Sequence, residues 1–190
     1  MATAGDDGAA AGIRHFMSIP WCAELLSKPN LVVSEAYSRR TKPGTGDSLI
    51  SRTLKTSDTI SSFITFHNAP DSPTELITEV RALLTLGSLI NGFPDVCHGG
   101  IVMTIMDEVI SLLVPANQGR GNLAKGAVMM TAYLNSTFVQ PVRTPGTILV
   151  TARLTRVEGR KYFMDAKVED SEGMLLTKSE ALFVVLKEKL

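Results

Sequence analysis

The chain has 190 residues, 44% hydrophobic and 20% charged, which suits one globular domain with a sizeable core. Its 19 basic and 19 acidic side chains cancel, which excludes a charge-driven surface for nucleic acid or anionic membrane. The two cysteines, Cys22 and Cys97, are too few for a disulfide framework and suit a reducing compartment.

Residues 1–12 are small and acidic and are expected to form a disordered tail. They carry neither the apolar stretch of a secretion signal nor the Arg-rich, acid-poor make-up of a transit peptide. A cytoplasmic location is therefore expected, with a mitochondrial one left open. Residues 13–59 read as an N-terminal extension of helix and loop. Within it Ile13, Phe16, Met17, Trp21, Leu25 and Leu26 recur at near-helical spacing, broken by Pro20 and closed before Pro29. That pattern predicts one or two short helices packed on the main domain. Arg39 to Gly46 is a basic, turn-rich loop expected to be solvated.

Residues 60–190 read as the main domain. Ile60–Phe66 is an apolar-rich run expected to be a strand; Leu76–Leu86 fits either a strand or a short helix. Ile90–Asp95 makes a Gly/Pro turn into a long helix from Gly100 to Leu113, which Pro115 is expected to end. In that helix Thr104, Asp107, Glu108 and Ser111 fall on one narrow stripe, and apolar residues cover the rest. The apolar arc is too wide for a surface helix, so a buried helix is predicted, its stripe facing a crevice and Glu108 at the solvated edge. No apolar run reaches the roughly 20 residues that span a bilayer, and no membrane partner is expected.

Four further runs follow, Val128–Val139, Thr147–Val157, Lys161–Glu169 and Leu175–Leu186. In the third, Tyr162, Met164, Ala166 and Val168 share one face and Phe163, Asp165, Lys167 and Glu169 the other. The expected architecture is α+β, about six mostly antiparallel strands wrapped around one long central helix, with short N-terminal helices.

His98, Gly99 and Gly100 stand at the mouth of the central helix, where unpaired backbone N–H groups can meet an oxyanion or a polarised carbonyl. Asp107 lies well inside it, and a carboxylate in apolar surroundings needs a reason to be there. Together they suggest a hydrolytic site.

The order of these pieces resembles the hotdog-fold thioesterases, in the branch of the mitochondrial fatty-acyl-CoA thioesterases and fungal relatives. The likeness covers about residues 60–190. It is carried by His98-Gly99-Gly100 with Asp107, by Val128 to Asn135, by the turn Val157 to Lys161, and by Ser179 to Phe183. The resemblance implies hydrolysis of an acyl-CoA to free acid and coenzyme A, with Asp107 as general base or nucleophile. It implies that Thr131 helps hold the attacking water, that Gly99 or Gly100 polarises the carbonyl, and that His98 sits near the sulfur or the turn. Asn91 falls near a carbonyl-contacting position of one branch. Arg156, Gly159, Arg160 and Lys161 match a basic turn associated with the phosphates of coenzyme A. Thr137 and Val139 depart from the Asn and Lys that the family often carries there. Met103, Met106, Met129 and Met130 are expected beside the acyl tunnel, as adaptable fillers.

Eight residues of helix separate Gly99 from Asp107, a rise of about 12 Å. One thioester cannot be held by both groups of the same chain, so an obligate homodimer with shared sites is expected, with a dimer of dimers left open. No metal and no cofactor are expected.

Two alternatives stand beside this reading. A hotdog protein could hold acyl-CoA without cleaving it. Gly46, Asp47, Ser48 and Leu49 also spell the signature of the Gly-Asp-Ser-Leu serine esterases, with Asp95 and His98 as an Asp-x-x-His partner. That reading needs Ser48 to follow a buried parallel strand.

Overall fold

The computed structural model describes residues 4–121, 123 and 126–186. The chain enters through two helices, α1 (Ala4–Met17) and α2 (Pro20–Leu26), followed by strand β1 (Leu31–Glu35). Strands β2 (Ile60–Asn68) and β3 (Glu79–Leu86) precede a small hairpin of β4 (Asn91–Phe93) and β5 (Val96–Cys97). The central helix α3 (Gly99–Ser111) and the short α4 (Leu113–Ala116) come next. Strands β6 (Met129–Phe138), β7 (Gly146–Glu158), β8 (Lys161–Glu169) and β9 (Leu175–Val185) complete the fold.

Seven strands form one sheet in the order β1-β2-β3-β7-β8-β9-β6, every neighbouring pair antiparallel. It curls around α3, which packs on β3, β6, β7 and β8. This is the expected hotdog architecture. The four later strands fall within a residue or so of their predicted bounds, and the alternation is clearest in β8. Tyr162, Met164, Ala166 and Val168 are all buried, as their shared face required. The run around Leu76–Leu86 settles as a strand. Val102, Ile105, Met106, Val109 and Ile110 of the helix meet Ile148, Val150, Met164 and Ala181 of the sheet in the main core. Each such large side chain contributes about 1.5–3 kcal/mol by leaving water.

By length and apolarity alone Gly99–Ala116 could cross a membrane, with a mean hydropathy of 1.6. Its place inside the sheet accounts for that composition. Pro115 does not end the helical run as expected. A break at Leu112 makes it a first-turn residue of α4, where a missing N–H leaves no acceptor unpaired.

The segment before residue 60 differs most from expectation. α1 takes in much of what read as a tail. The two helices do pack on the main domain, on the sheet face opposite α3. Phe16 and Cys22 join Ile64, Phe66 and Leu83 there in a second buried cluster. α1 lies so near β2 that a Cβ on Gly12 would come within 2.7 Å of Ile64 Cγ2. Strand β1, which no strong alternation announced, pairs with β2 from Leu31 opposite Asn68 to Glu35 opposite Ile64.

Arg39 is not solvated, as its basic loop suggested, but 3% exposed. Its guanidinium donates to the carbonyls of Ile50 (3.4 Å), Leu54 (3.0 Å) and Ile60 (2.9 Å), tying the extension to the first residue of β2. Burial pushes its pKa down to about 10, with Glu35 opposing the shift. Removing it withdraws a donor from all three buried carbonyls, of which Leu54 keeps the Ile60 amide at 3.2 Å. Arg39→Ala is expected to cost about 3 kcal/mol, read as a lower midpoint in urea unfolding, and Arg39→Lys to recover only part of it.

Candidate active site

The β4–β5 hairpin delivers the chain to the start of α3. Its turn places Asp95 at φ +56°, a left-handed conformation that Asp tolerates. Asn91 pairs across the hairpin with Cys97, and its side-chain oxygen accepts from the Thr144 hydroxyl. Asn91 is thus next to the helix mouth but already engaged there.

His98 is the N-cap of α3. Its Nδ1 accepts from the Gly100 amide at 2.9 Å, and its carbonyl accepts from Ile101 and Val102. Accepting at Nδ1 places the proton of the neutral ring on Nε2. The ring lies over Gly92, where a Cβ would come within 2.8 Å of His98 Cδ2. Of the two amides expected to be free, Gly100 is spent on this cap. Gly99 donates to no group among the described residues. It is the one bare donor of the pair, and it lies beside the Phe138 ring.

Asp107 sits two turns along the same helix. Thr131 Oγ donates to its Oδ1 at 2.9 Å, so the two residues singled out together in the sequence do meet. Thr131 is exposed on β6, the free edge of the sheet; Asp107 is half-buried. Gly99 lies at the Phe138 end of β6 and Asp107 at the Thr131 end, so α3 and β6 run in opposite directions. The two groups of one chain remain about 12 Å apart along the helix, as its length dictates.

The basic turn lies at the Thr131 end of the sheet. Thr131 is opposite Phe183, and Phe183 opposite Tyr162, one residue from Lys161. Gly159 makes the turn with φ +57°. Arg160 donates to the Val185 carbonyl at 2.8 Å. Arg156 pairs with Glu158 at 3.2 Å and stacks over the Phe163 ring at 4.0 Å. Lys161 is exposed.

Ser48 stands beside a short helical turn, Leu49–Thr53, within an all-antiparallel fold. Among the described residues no buried parallel strand precedes the serine, as a Gly-Asp-Ser-Leu esterase needs, and His98 is committed to its cap. That alternative is set aside. Among the described residues no group of His, Cys, Asp and Glu could hold a metal ion.

A cavity of about 700 Å³ opens beside Asp107's neighbour, Glu108. Of the four methionines expected at a tunnel, Met129 lines it. Met106 is instead core, its sulfur accepting from Ser179, and Met130 is exposed on β6. Glu108 is not the solvated edge that its position in the stripe suggested. Burial raises its pKa above the usual carboxylate range, eased by the nearby Ser38 hydroxyl and by Lys42, and reinforced by Asp47 and Asp107. The sequence hid this because the covering wall comes from residues 37–47, far away in the chain.

A carboxyl whose pKa is raised on folding binds its proton more tightly in the folded state. Its contribution to stability is complete below the ordinary value of about 4.3 and is lost as pH rises through the raised value. Glu108→Gln has no such proton to lose. Thermal melts across pH are expected to show its advantage over the parent growing from acid towards alkaline pH.

Residues 95–177 match the thioesterase superfamily model. The acyl-coenzyme A thioesterase THEM4 of Mus musculus is 33% identical over 101 residues, 53% of this chain and 40% of that protein. The chain thus spans less than half the length of the curated thioesterases it matches. Verlamelin biosynthesis protein B of Lecanicillium sp is 29% identical, over 75% of this chain and 74% of its own. A hypothetical thioesterase of Streptococcus pneumoniae, solved with coenzyme A, superposes with a TM-score of 0.51 at 14% identity, over 60% of this chain and 82% of its own. The E. coli PaaI protein of the phenylacetic acid degradation operon does so with 0.50 at 12%, over 58% and 75%. At such identities the likeness to solved structures is one of fold. A seven-stranded sheet around an apolar helix gives this chain a hotdog fold, and the segment that takes in that helix is the part similar to the thioesterase superfamily.

Proposed function

We propose that the protein hydrolyses acyl-CoA thioesters at a site shared between two copies of the chain. The observation that carries the reading is the Thr131–Asp107 hydrogen bond at the open edge of the sheet, one helix length from the bare Gly99 amide. Thr131 orients the carboxylate and, with its hydroxyl, marks where a water can lie. Asp107 takes a proton from that water as it attacks the thioester carbon. Attack by Asp107 itself, through a mixed anhydride, is the other route open to the same carboxylate. The carbonyl oxygen gains negative charge and is met by the Gly99 amide of the second copy. Coenzyme A leaves as the thiolate, which is protonated in water.

The sharing follows from distance. A base acts within about 3 Å of its water, and about 12 Å of helix lies between the two groups of one chain. The β6 edge supplies a surface on which a second copy can lie. Its strand is unpaired on one side, and Met130 and Phe138 on it are 55% and 52% exposed. Two copies related by a two-fold axis bring Asp107 of each towards Gly99 of the other. Arg156, Arg160 and Lys161 receive the phosphates of coenzyme A in this reading, which their common position at the Thr131 end of the sheet supports, with Gly159 shaping their turn. Asn91 supports the helix mouth rather than the carbonyl, its oxygen being occupied by Thr144.

Asp107→Asn is expected to lower kcat by about 10²–10⁴-fold while the variant still binds acyl-CoA, and Thr131→Ala to lower it less. Release of coenzyme A is followed with a thiol reagent. Binding without release by the parent protein would instead make it a carrier of acyl-CoA.

Gly99→Pro gives a second, sharper test. Proline is favoured at the first helical position, so the change deletes one N–H and leaves the helix intact. His98, with ψ 132°, already has the extended backbone that a following proline demands. Loss of one oxyanion donor is expected to cost about 10²–10³ in kcat. Mixed dimers of Asp107→Asn with Gly99→Pro chains regain one intact site each, so mixing two inactive proteins is expected to restore activity. Full activity in a monomer by light scattering would contradict the shared site.

A further inference from the structure

We infer that Tyr37, from the N-terminal extension, is the end stop for the acyl chain and so limits the length of thioester that the protein takes. The inference rests on the thioesterase reading and narrows its substrate class. The cavity of about 700 Å³ starts at the site. Phe183, which lines it, stands opposite Thr131 in the sheet, and Met129, which also lines it, lies two residues before Thr131 on the same face of β6. Ser111, one turn after Asp107 on the helix, belongs to its wall, and Leu112 and Pro115 carry that wall on into α4.

The polar side chains around the cavity are already engaged. Ser38 is a hydrogen-bond partner of Glu108, and Lys42 is bound to Asp47. Ser111 donates to the Glu108 carbonyl at 2.7 Å. Gln118 donates to the Ala127 carbonyl at 3.1 Å, and its oxygen accepts from the Gly126 amide. A hydrocarbon that displaces water from this wall strands none of these groups, and it gains apolar contact with Leu112, Met129 and Phe183.

A smaller cavity of about 180 Å³ lies beyond, between the end of the helix and strands β1, β2 and β3. Tyr37, Leu112 and Pro115 line both cavities, so these three side chains part them. Leu112 and Pro115 belong to the helical run. Tyr37 alone of the three comes from outside residues 95–177, the segment that matches the thioesterase superfamily. Its ring is held: Lys42 Nζ sits 3.7 Å over it, and the next two residues, Ser38 and Arg39, are buried. Eight residues of the helical run separate Asp107 from Pro115, a rise of about 12 Å. An extended hydrocarbon advances about 1.2 Å per bond, as an extended backbone does, so a chain of about ten carbons reaches the ring. A longer one meets it.

The test compares decanoyl-CoA with palmitoyl-CoA. The parent is expected to favour decanoyl-CoA in kcat/KM by about tenfold or more, the effect of even one misplaced methylene. Tyr37→Ala joins the two cavities and is expected to bring that ratio towards one, whereas Tyr37→Phe keeps the ring and the parent's ratio. Should Tyr37→Ala fail to fold, Tyr37→Leu carries the comparison. Equal use of the two esters by the parent, or a ratio unmoved by Tyr37→Ala, would overturn the inference. If no ester is cleaved, the thioesterase reading fails on its own. Calorimetric binding of decanoic against palmitic acid then decides the stop: a gain for palmitic acid in Tyr37→Ala upholds it, and an unchanged ratio of affinities overturns it.

Discussion

A helix that is apolar on most of its surface cannot be left in water, and the rest of this molecule follows from covering it. The sheet wraps α3 from β3 through β7 and β8, and the polar stripe of Thr104, Asp107, Glu108 and Ser111 is what remains at the gap. Burial of the helix thus fixes where its carboxylates can be. Asp107 meets the free edge strand and a threonine there; Glu108, one position on, meets the N-terminal extension. Adjacent residues on a helix diverge by about 100°, so two neighbouring acids come to face different surroundings. One is left close to solvent and ordered by a hydroxyl, and the other lines a cavity where burial raises its pKa.

The start of the helix obeys a similar economy. Three successive residues divide the work of the helix mouth: His98 caps with its ring, Gly100 is the donor to that ring, and Gly99 stays uncommitted. Gly92 completes the arrangement by letting the ring lie against the hairpin backbone. A side chain at Gly92 would move His98, release Gly100 and blur the distinction between the two amides.

Much of this was legible in the amino-acid sequence, for physical reasons that can be named. β8 alternates clearly, because one face lies on the core and the other on solvent or polar neighbours, whereas β6 and β7 carry bulges that break their pattern. The long helix declared itself through its width of apolar surface, and Asp107 through its isolation within it. What stayed hidden depends on contacts between distant segments. Arg39 read as a solvated loop residue, since nothing local says that carbonyls from Ile50, Leu54 and Ile60 converge on it. Glu108 read as the edge of a stripe, since its cover comes from Tyr37 and Ser38. β1 is short and lies between helices and loops, so its pairing is decided by β2 rather than by its own pattern. Gly99 and Gly100 were indistinguishable until the His98 ring chose between them.

The helices ahead of β1 also limit how copies of the molecule can stack. α1 and α2 occupy the convex side of β2 and β3 with Phe16 and Cys22 fully enclosed, and His15 reaches Thr85 at 2.8 Å. Another sheet cannot lie flat against those strands unless that layer is first peeled away, which would expose Ile64, Phe66 and Leu83. The backs of β8, β9 and β6 stay uncovered, with Asp165 opposite Glu180 and Lys167 opposite Lys178. Acids and lysines stand side by side on that ground, so contact with a second copy there depends on how opposite charges align.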